Sequence, residues 1–333
     1  MIKIDLITGF LGSGKTTFMK KYAQYLMDHG FKVGILENDY GAVNVDMMLL
    51  QELEGDSCGL EMVAGGCDAD CHRRRFKTKL IAMGMSGYDR VLVEPSGIFD
   101  VDEFFDALYE EPLSRWYEIG NVIAIVDGDL ESELSKQSEF LLASQIANAG
   151  CVILSRTQEV GESDIKETVA HMNRALEQFD CKRRFTLDAG DKEHDRVIQK
   201  SWDDFSDEDY NRFAGCGYRS EAYRKEYSEE NGYMTLYFMN GNHDSKTFCH
   251  IARELFCDTK YGDIFRIKGF LRQNDGWVEV NSTHRGITVK PIEKGQSIII
   301  VIGEHLKQTL IEAAFGMKAN ELKDKYVSFC FVL

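Results

Sequence analysis

Through the first two hundred positions, short unbroken apolar runs alternate with longer stretches of helical periodicity. "IKIDLITG", "KVGILEN", "DRVLVEPSG", "NVIAIVDG", "CVILSRT" and "RRFTLDAG" read as strands that are apolar on both faces. Between them, "KTTFMKKYAQYLMDHG" sets Phe18, Tyr22, Tyr25 and Leu26 at helical spacing, with Gly30 as its stop. "EFLLASQIANAG" and "DIKETVAHMNRALEQF" are further helices. Buried strands alternating with helices predict an α/β domain over 1–200, its mostly parallel sheet covered on both faces. Functional loops then belong at the C-terminal ends of the strands.

Near residue 200 the pattern changes. "WDDFSDEDYNRF" and "YRKEYSEENGY" are charged and poorly periodic, and 201–231 reads as a connecting segment. From 232 to 333, strands such as "MTLYFMN", "DIFRIKGFL", "GWVEVNST", "GITVKPI" and "QSIIIVIG" outnumber the helices "SKTFCHIARELF" and "HLKQTLIEAAF". A smaller α+β domain is expected there. The length of 333 residues agrees with two domains, and a 44% hydrophobic share suffices for two cores.

The formal charge of -16 weighs against nucleic acid and anionic membrane surfaces as partners. The opening "MIKIDLITGF" carries no secretory pattern, no run approaches a membrane span, and nine scattered cysteines suit a reducing compartment; a cytoplasmic protein is expected.

The chemistry begins at "GFLGSGKTT". Gly9, Gly14, Lys15 and Thr16 match G-x-x-x-x-G-K-[ST] between a strand and a helix. Glycines let backbone N–H groups approach phosphate oxygens, Lys15 can reach the terminal phosphates, and the Thr16 hydroxyl can ligate Mg²⁺. Thr17 either joins the nucleotide site or only packs. Glu94, after the strand "VLVEP", suits the carboxylate that holds Mg²⁺ through water; otherwise it is a solvated loop glutamate.

Taken in order, "LITGFLGSGKTT", "ILENDYG" and "VLVEPSG" resemble the CobW-type P-loop GTPases, kin of the UreG and HypB nickel-delivery proteins. "GDIFRIKGFL", "GWVEVNST" and "IIIVIGEHL" are similar to the C-terminal domain that accompanies them. The resemblance implies a GTPase coupled to handling of a transition metal, zinc or cobalt, for a client metalloprotein. A homodimer is a candidate assembly. The resemblance assigns Gly12, Ser13, Gly14, Lys15, Thr16 and Thr17 to phosphates and Thr16 to Mg²⁺. Glu94 and Gly97 fall to the switch around the γ-phosphate. Glu37, Asp39 and Gly41 lie on a second switch segment, where a carboxylate senses Mg²⁺ or positions the attacking water. Lys15, Asp39 and Glu94 are therefore the catalytic candidates.

Two departures stand out. The family's G-C-x-C-C becomes "GGCDADCHRR", which leaves Cys67, Cys71 and His72, with Glu37, as the transition-metal set. Two thiolates and an imidazole suit Zn²⁺. The same cysteines could instead be ordinary reduced thiols or a redox pair. The family's guanine-reading N-K-x-D becomes Ser155-Arg156-Thr157-Gln158. The Gln158 carbonyl can accept from guanine and the Arg156 stem can cover the base, but a neutral acceptor is weaker than a carboxylate. Two further functions stay open: a nucleotide-dependent interaction switch with a vestigial metal site, and a small-molecule kinase.

Overall fold

Five of the six apolar runs of the first two hundred residues pair side by side in one sheet. In the computed structural model, the described residues are 1–39, 47–64, 69–97, 99, 101–224, 233–273, 276–292, 295 and 297–319. The chain divides into two units, Met1–Tyr227 and Ser228–Leu333.

In the first unit, β1 (Ile2–Thr8) leads into α1 (Lys15–Asp28), then β2 (Val33–Asp39) and the short α2 (Met47–Leu50). β3 (Cys58–Ala64), α3 (Ala69–Gly84), β4 (Arg90–Pro95), α4 (Val101–Tyr109) and α5 (Leu113–Trp116) follow. Next come β5 (Tyr117–Asp127), α6 (Lys136–Ala147), β6 (Cys151–Ser155) and α7 (Glu162–Gln178). The unit ends with β7 (Phe185–Thr186), β8 (Asp195–Arg196) and α8 (Asp207–Ala214). The main sheet is parallel throughout, in the order β3-β2-β4-β1-β5-β6. Strands β1, β4 and β5 are apolar to both sides because each face carries a core. One is lined by Ile4, Leu6, Phe104 and Leu176, the other by Ile7, Phe18, Tyr22 and Phe213. This is the P-loop NTPase fold, with strand order turning back around β1, where such sheets open a crevice for ligands. The "RRFTLDAG" run contributes only the two-residue β7, paired with β8 outside the main sheet. β3, absent from the sequence-derived strands, takes the edge instead.

The expected connector at 201–231 is folded through residue 224. Its charges face outward, while Trp202, Phe205, Tyr210 and Phe213 pack into the α1-side core. Helix α8 is capped by Ser206, whose hydroxyl accepts from Asp209 N–H while the Asp209 carboxylate accepts from Ser206 N–H. Its last carbonyl, on Ala214, accepts from Arg90 and Asn121, and both of these side chains also hold the buried Asp5 carboxylate.

The second unit is a five-stranded antiparallel sheet. Its strands are β9 (Tyr233–Met239), β10 (Asp263–Gln273), β11 (Gly276–Thr283), β12 (Gly286–Ile292) and β13 (Ile298–Glu304), in the order β12-β11-β10-β13-β9. Helices α9 (Ser245–Cys257) and α10 (Gln308–Phe315) contribute Phe248, Leu255, Ile311 and Phe315 to the core on one of its faces.

Candidate functional site

Gly9 leaves β1 with φ of 144°, and a Cβ there would lie 2.1 Å from the Ile125 carbonyl oxygen, so only glycine lets the loop cross the end of β5. Gly14, left-handed at φ 99°, caps α1 with no side chain of its own. No acidic residue occupies the helix's first turn, which leaves its N–H groups and the positive end of its dipole for an anion. Lys15 opens the helix at 7% exposure, and its Nζ donates to Gly9 O at 3.0 Å and Phe10 O at 3.4 Å. The Ser13 and Thr8 hydroxyl oxygens are buried without a hydrogen-bond partner among the described residues. Backbone donors, an ammonium group and unsatisfied hydroxyls on the loop and the strand end before it fit a phosphate tail.

Thr16 donates its hydroxyl to Glu94 Oε1 at 2.8 Å. Glu94 is the penultimate residue of β4, and its neighbour in register on β2 is Glu37; both carboxylates are buried. Side chains paired in register on adjacent parallel strands share a face of the sheet. A hydroxyl and two buried carboxylates at the mouth of the phosphate loop fit a hard, oxygen-seeking cation such as Mg²⁺. Ser96 N–H donates to Asn38 O at 2.8 Å and so joins the start of the β4–α4 turn to β2. Gly97 sits in that turn, beside Leu11 of the phosphate loop.

The base-side segment has a different construction. Ser155 is buried at the end of β6, and Arg156 turns the chain with φ of 54°. Glu159 N–H closes that turn onto Arg156 O at 2.8 Å. The Arg156 guanidinium pairs with Asp127 and donates to Gly12 O at 2.8 Å, a strap from β6 across β5 to the phosphate loop. Asp127, at the end of β5, is the anchor of that strap. Gln158 is exposed, with Nε2 3.5 Å from Glu159 Oε1, and Thr17 is exposed on α1. Trp202 packs against the core: its indole donates to Leu154 O at 3.0 Å and meets Phe18 edge-on. It also lines the wall beside Gly14, where a Cβ would come 3.0 Å from its ring.

The transition-metal set is described only in part. Cys71 and His72 lie in the first turn of α3, and His72 is buried at 3% exposure. Cys67, Gly41 and Ala42 lie outside the described residues, and of Asp39 only the backbone, paired with Ala64 at the end of β2, is described. Among the described residues, no three His, Cys, Asp or Glu side chains come together closely enough to hold a metal ion. Cys58 starts β3, the strand whose far end leads toward the cysteine motif, about 20 Å away along the chain. Burial, with Glu54 nearby, pushes its thiol up to about 11, away from the reactive thiolate. Among the described residues, no helix is long and apolar enough to cross a membrane.

Residues 3–186 match the family description "CobW/HypB/UreG, nucleotide-binding domain", and residues 240–318 match "Cobalamin synthesis protein cobW C-terminal domain". The zinc chaperone YjiA of Escherichia coli (strain K12) is 29% identical over 182 residues, 52% of this chain and 55% of that protein. The zinc chaperone YeiR of the same organism is 28% identical over 158 residues, 47% of each chain. The zinc-regulated GTPase metalloprotein activator 1 of Schizosaccharomyces pombe is 22% identical over 182 residues, 52% of this chain and 44% of that one. The chain spans about half the length of the curated relatives it matches. Among solved structures, the Zn(II)-bound YjiA GTPase from E. coli is 20% identical, with 95% of this chain and 98% of that chain covered and a TM-score of 0.36. The hydrogenase maturation factor HypB from Archaeoglobus fulgidus is 14% identical, with 64% and 88% covered and a TM-score of 0.41. With more than half of its 333 residues inside the nucleotide-binding pattern, and the cysteine, switch and phosphate-loop segments all within that span, the chain belongs to the CobW/HypB/UreG family.

Proposed function

We propose that the chain binds GTP, hydrolyses it slowly to GDP and phosphate, and uses the cycle to hand a transition metal, zinc or cobalt, to a client metalloprotein. The observation that carries this reading is the Thr16–Glu94 hydrogen bond at 2.8 Å, with Glu37 in register beside it. It joins the phosphate loop, the β4 switch and the strand that leads to the second switch segment. Names among the relatives, zinc chaperone and zinc-regulated GTPase metalloprotein activator, support the metal as cargo.

In this reading the loop N–H groups from Gly12 to Thr17 bind the β- and γ-phosphates. Lys15 exchanges its carbonyl partners for phosphate oxygens and offsets the negative charge that builds there during in-line attack. Thr16 and Glu94 would hold Mg²⁺, which would supply charge neutralisation there. Glu94 or Asp39 orients the attacking water, whose oxygen bonds to the γ-phosphorus as the bond to GDP breaks. Arg156 positions the loop and covers the base with its stem, while Gln158 accepts from it. Cys67, Cys71, His72 and Glu37 are the candidate cargo ligands. A cytoplasmic setting, a nucleotide and a client metalloprotein as partners, and a homodimer complete the proposal.

Turnover of GTP with and without Zn²⁺ or Co²⁺, in wild type and Cys67→Ser, tests the coupling. Metal-dependent turnover in wild type that is lost in the variant is expected; identical rates and metal content in every arm contradict it. The C-x-x-x-C spacing, in place of an adjacent cysteine pair, favours one second reading: an interaction switch whose metal site is vestigial. Purified protein without stoichiometric metal, yet with intact nucleotide turnover, supports that alternative.

A further inference from the structure

Helix α6 is buried along its second half, and one of the residues it buries there is a polar amide with no role in the chemistry above. Gln145 is 1% exposed, and its Nε2 donates to the Gly97 carbonyl at 3.1 Å. Its Oε1 is buried and has no hydrogen-bond partner among the described residues. Exchanging the amide's oxygen and nitrogen would face two acceptors, so the network fixes this orientation. A glutamine costs more to bury than an apolar residue of its size unless its polar atoms are used, and here only the contact with Gly97 uses them.

Gly97 is held from several directions. Ser96 N–H is tied to Asn38 O, Phe99 N–H closes the turn onto Ser96 O at 3.0 Å, and the Phe99 ring is buried in the core. Its carbonyl is taken up by α6, and Gly97 also lies close to the phosphate loop. A Cβ there would lie 2.6 Å from Leu11 N and 2.8 Å from Leu11 Cα. The backbone of the switch therefore lies against the rim of the cradle, with the Gln145 amide bonded to its carbonyl.

We propose that Gln145 is a positioning residue that holds Gly97 for the terminal phosphate, so that the distinction between nucleoside triphosphate and diphosphate passes through helix α6. This rests on the reading of the Gly9–Thr17 loop as a GTP site. A diphosphate ends short of the switch and is bound by the loop alone. A triphosphate reaches Gly97 and gains or loses with its placement.

The test measures dissociation constants of Mg²⁺–GDP and of a non-hydrolysable Mg²⁺–GTP analogue for wild type, Gln145→Met and Gln145→Ala. Methionine keeps the volume and removes the donor; alanine removes both. Far-ultraviolet circular dichroism and thermal melting confirm folding of each variant. The expected result is a shift of about tenfold in the triphosphate-to-diphosphate affinity ratio, with GDP affinity within about twofold of wild type. Should Gln145→Met fail to fold, Gln145→Ala is read against the same ratio. An unchanged ratio in a folded variant, or equal loss of both affinities, overturns the inference and leaves the GTP site standing. Wild type that binds neither nucleotide overturns the GTP reading itself, and this inference with it.

Discussion

Arg156 adopts a left-handed backbone, unusual for a side chain of its size, and the surrounding contacts explain why it stays there. Its guanidinium is shared between the Asp127 carboxylate and the Gly12 carbonyl, 144 residues away in sequence. The pair is partly open to solvent, at 32% and 15% side-chain exposure, so its net worth is discounted to about 1 kcal/mol. Arg156→Ala and Asp127→Asn are each expected to weaken nucleotide binding by about fivefold, and the double variant by little more than either alone. Binding titrations on the four proteins check this; fully additive losses would mean that the two side chains act separately. At this scale the sequence was legible where a motif dictates spacing, as from Gly9 to Thr16. It did not show the contacts of Asp127 and Gln145, because their partners are set by how strands and helices stack, and no local pattern marks those partners.

At the scale of elements, apolar runs announced most of the parallel strands, because a strand covered on both faces has no polar side to disguise it. The stretch after residue 200 misled for the opposite reason. Acidic residues dominate its composition, and the buried positions Trp202, Phe205, Tyr210 and Phe213 are few and straddle a capped helix start. In the second unit, α10 shows how one side chain can close an element. The Glu312 carboxylate, 8% exposed, accepts from Gln308 and Ala319 N–H and pairs with Lys318. The hydrogen bond from Lys318 comes first and that from Gln308 next among the contacts that lower its pKa to about 2 from an ordinary value of 4.5. A lowered folded-state value means that the folded form prefers the carboxylate. The contribution is then complete above about 4.5 and fades as pH falls toward about 2. Glu312→Gln is expected to lower the thermal midpoint of the chain's C-terminal unit by a few degrees at pH 7. The gap to wild type should narrow as pH drops through that window. A gap that stays constant with pH would remove the carboxylate from the account.

For the molecule as a whole, the acidic surface and the cationic cradle are complementary facts. A chain with a formal charge of -16 discourages adventitious polyanions, and the Lys15 ammonium with the first turn of α1 concentrates attraction where a triphosphate fits. Family membership was readable from the ordered motifs, whereas the metal set remains a proposal, since its Cys67 lies outside the described residues. The proposed hydrolysis, metal cargo and switch at Gly97 all depend on the cradle. The direct measurement is calorimetric titration of wild type and Lys15→Ala with Mg²⁺–GTP and Mg²⁺–ATP. The account predicts one GTP bound per wild-type chain, tighter than ATP, and an affinity loss of about 10–100-fold in Lys15→Ala, as expected for hydrogen bonds to a charged group. Equal GTP affinity in wild type and Lys15→Ala would contradict it.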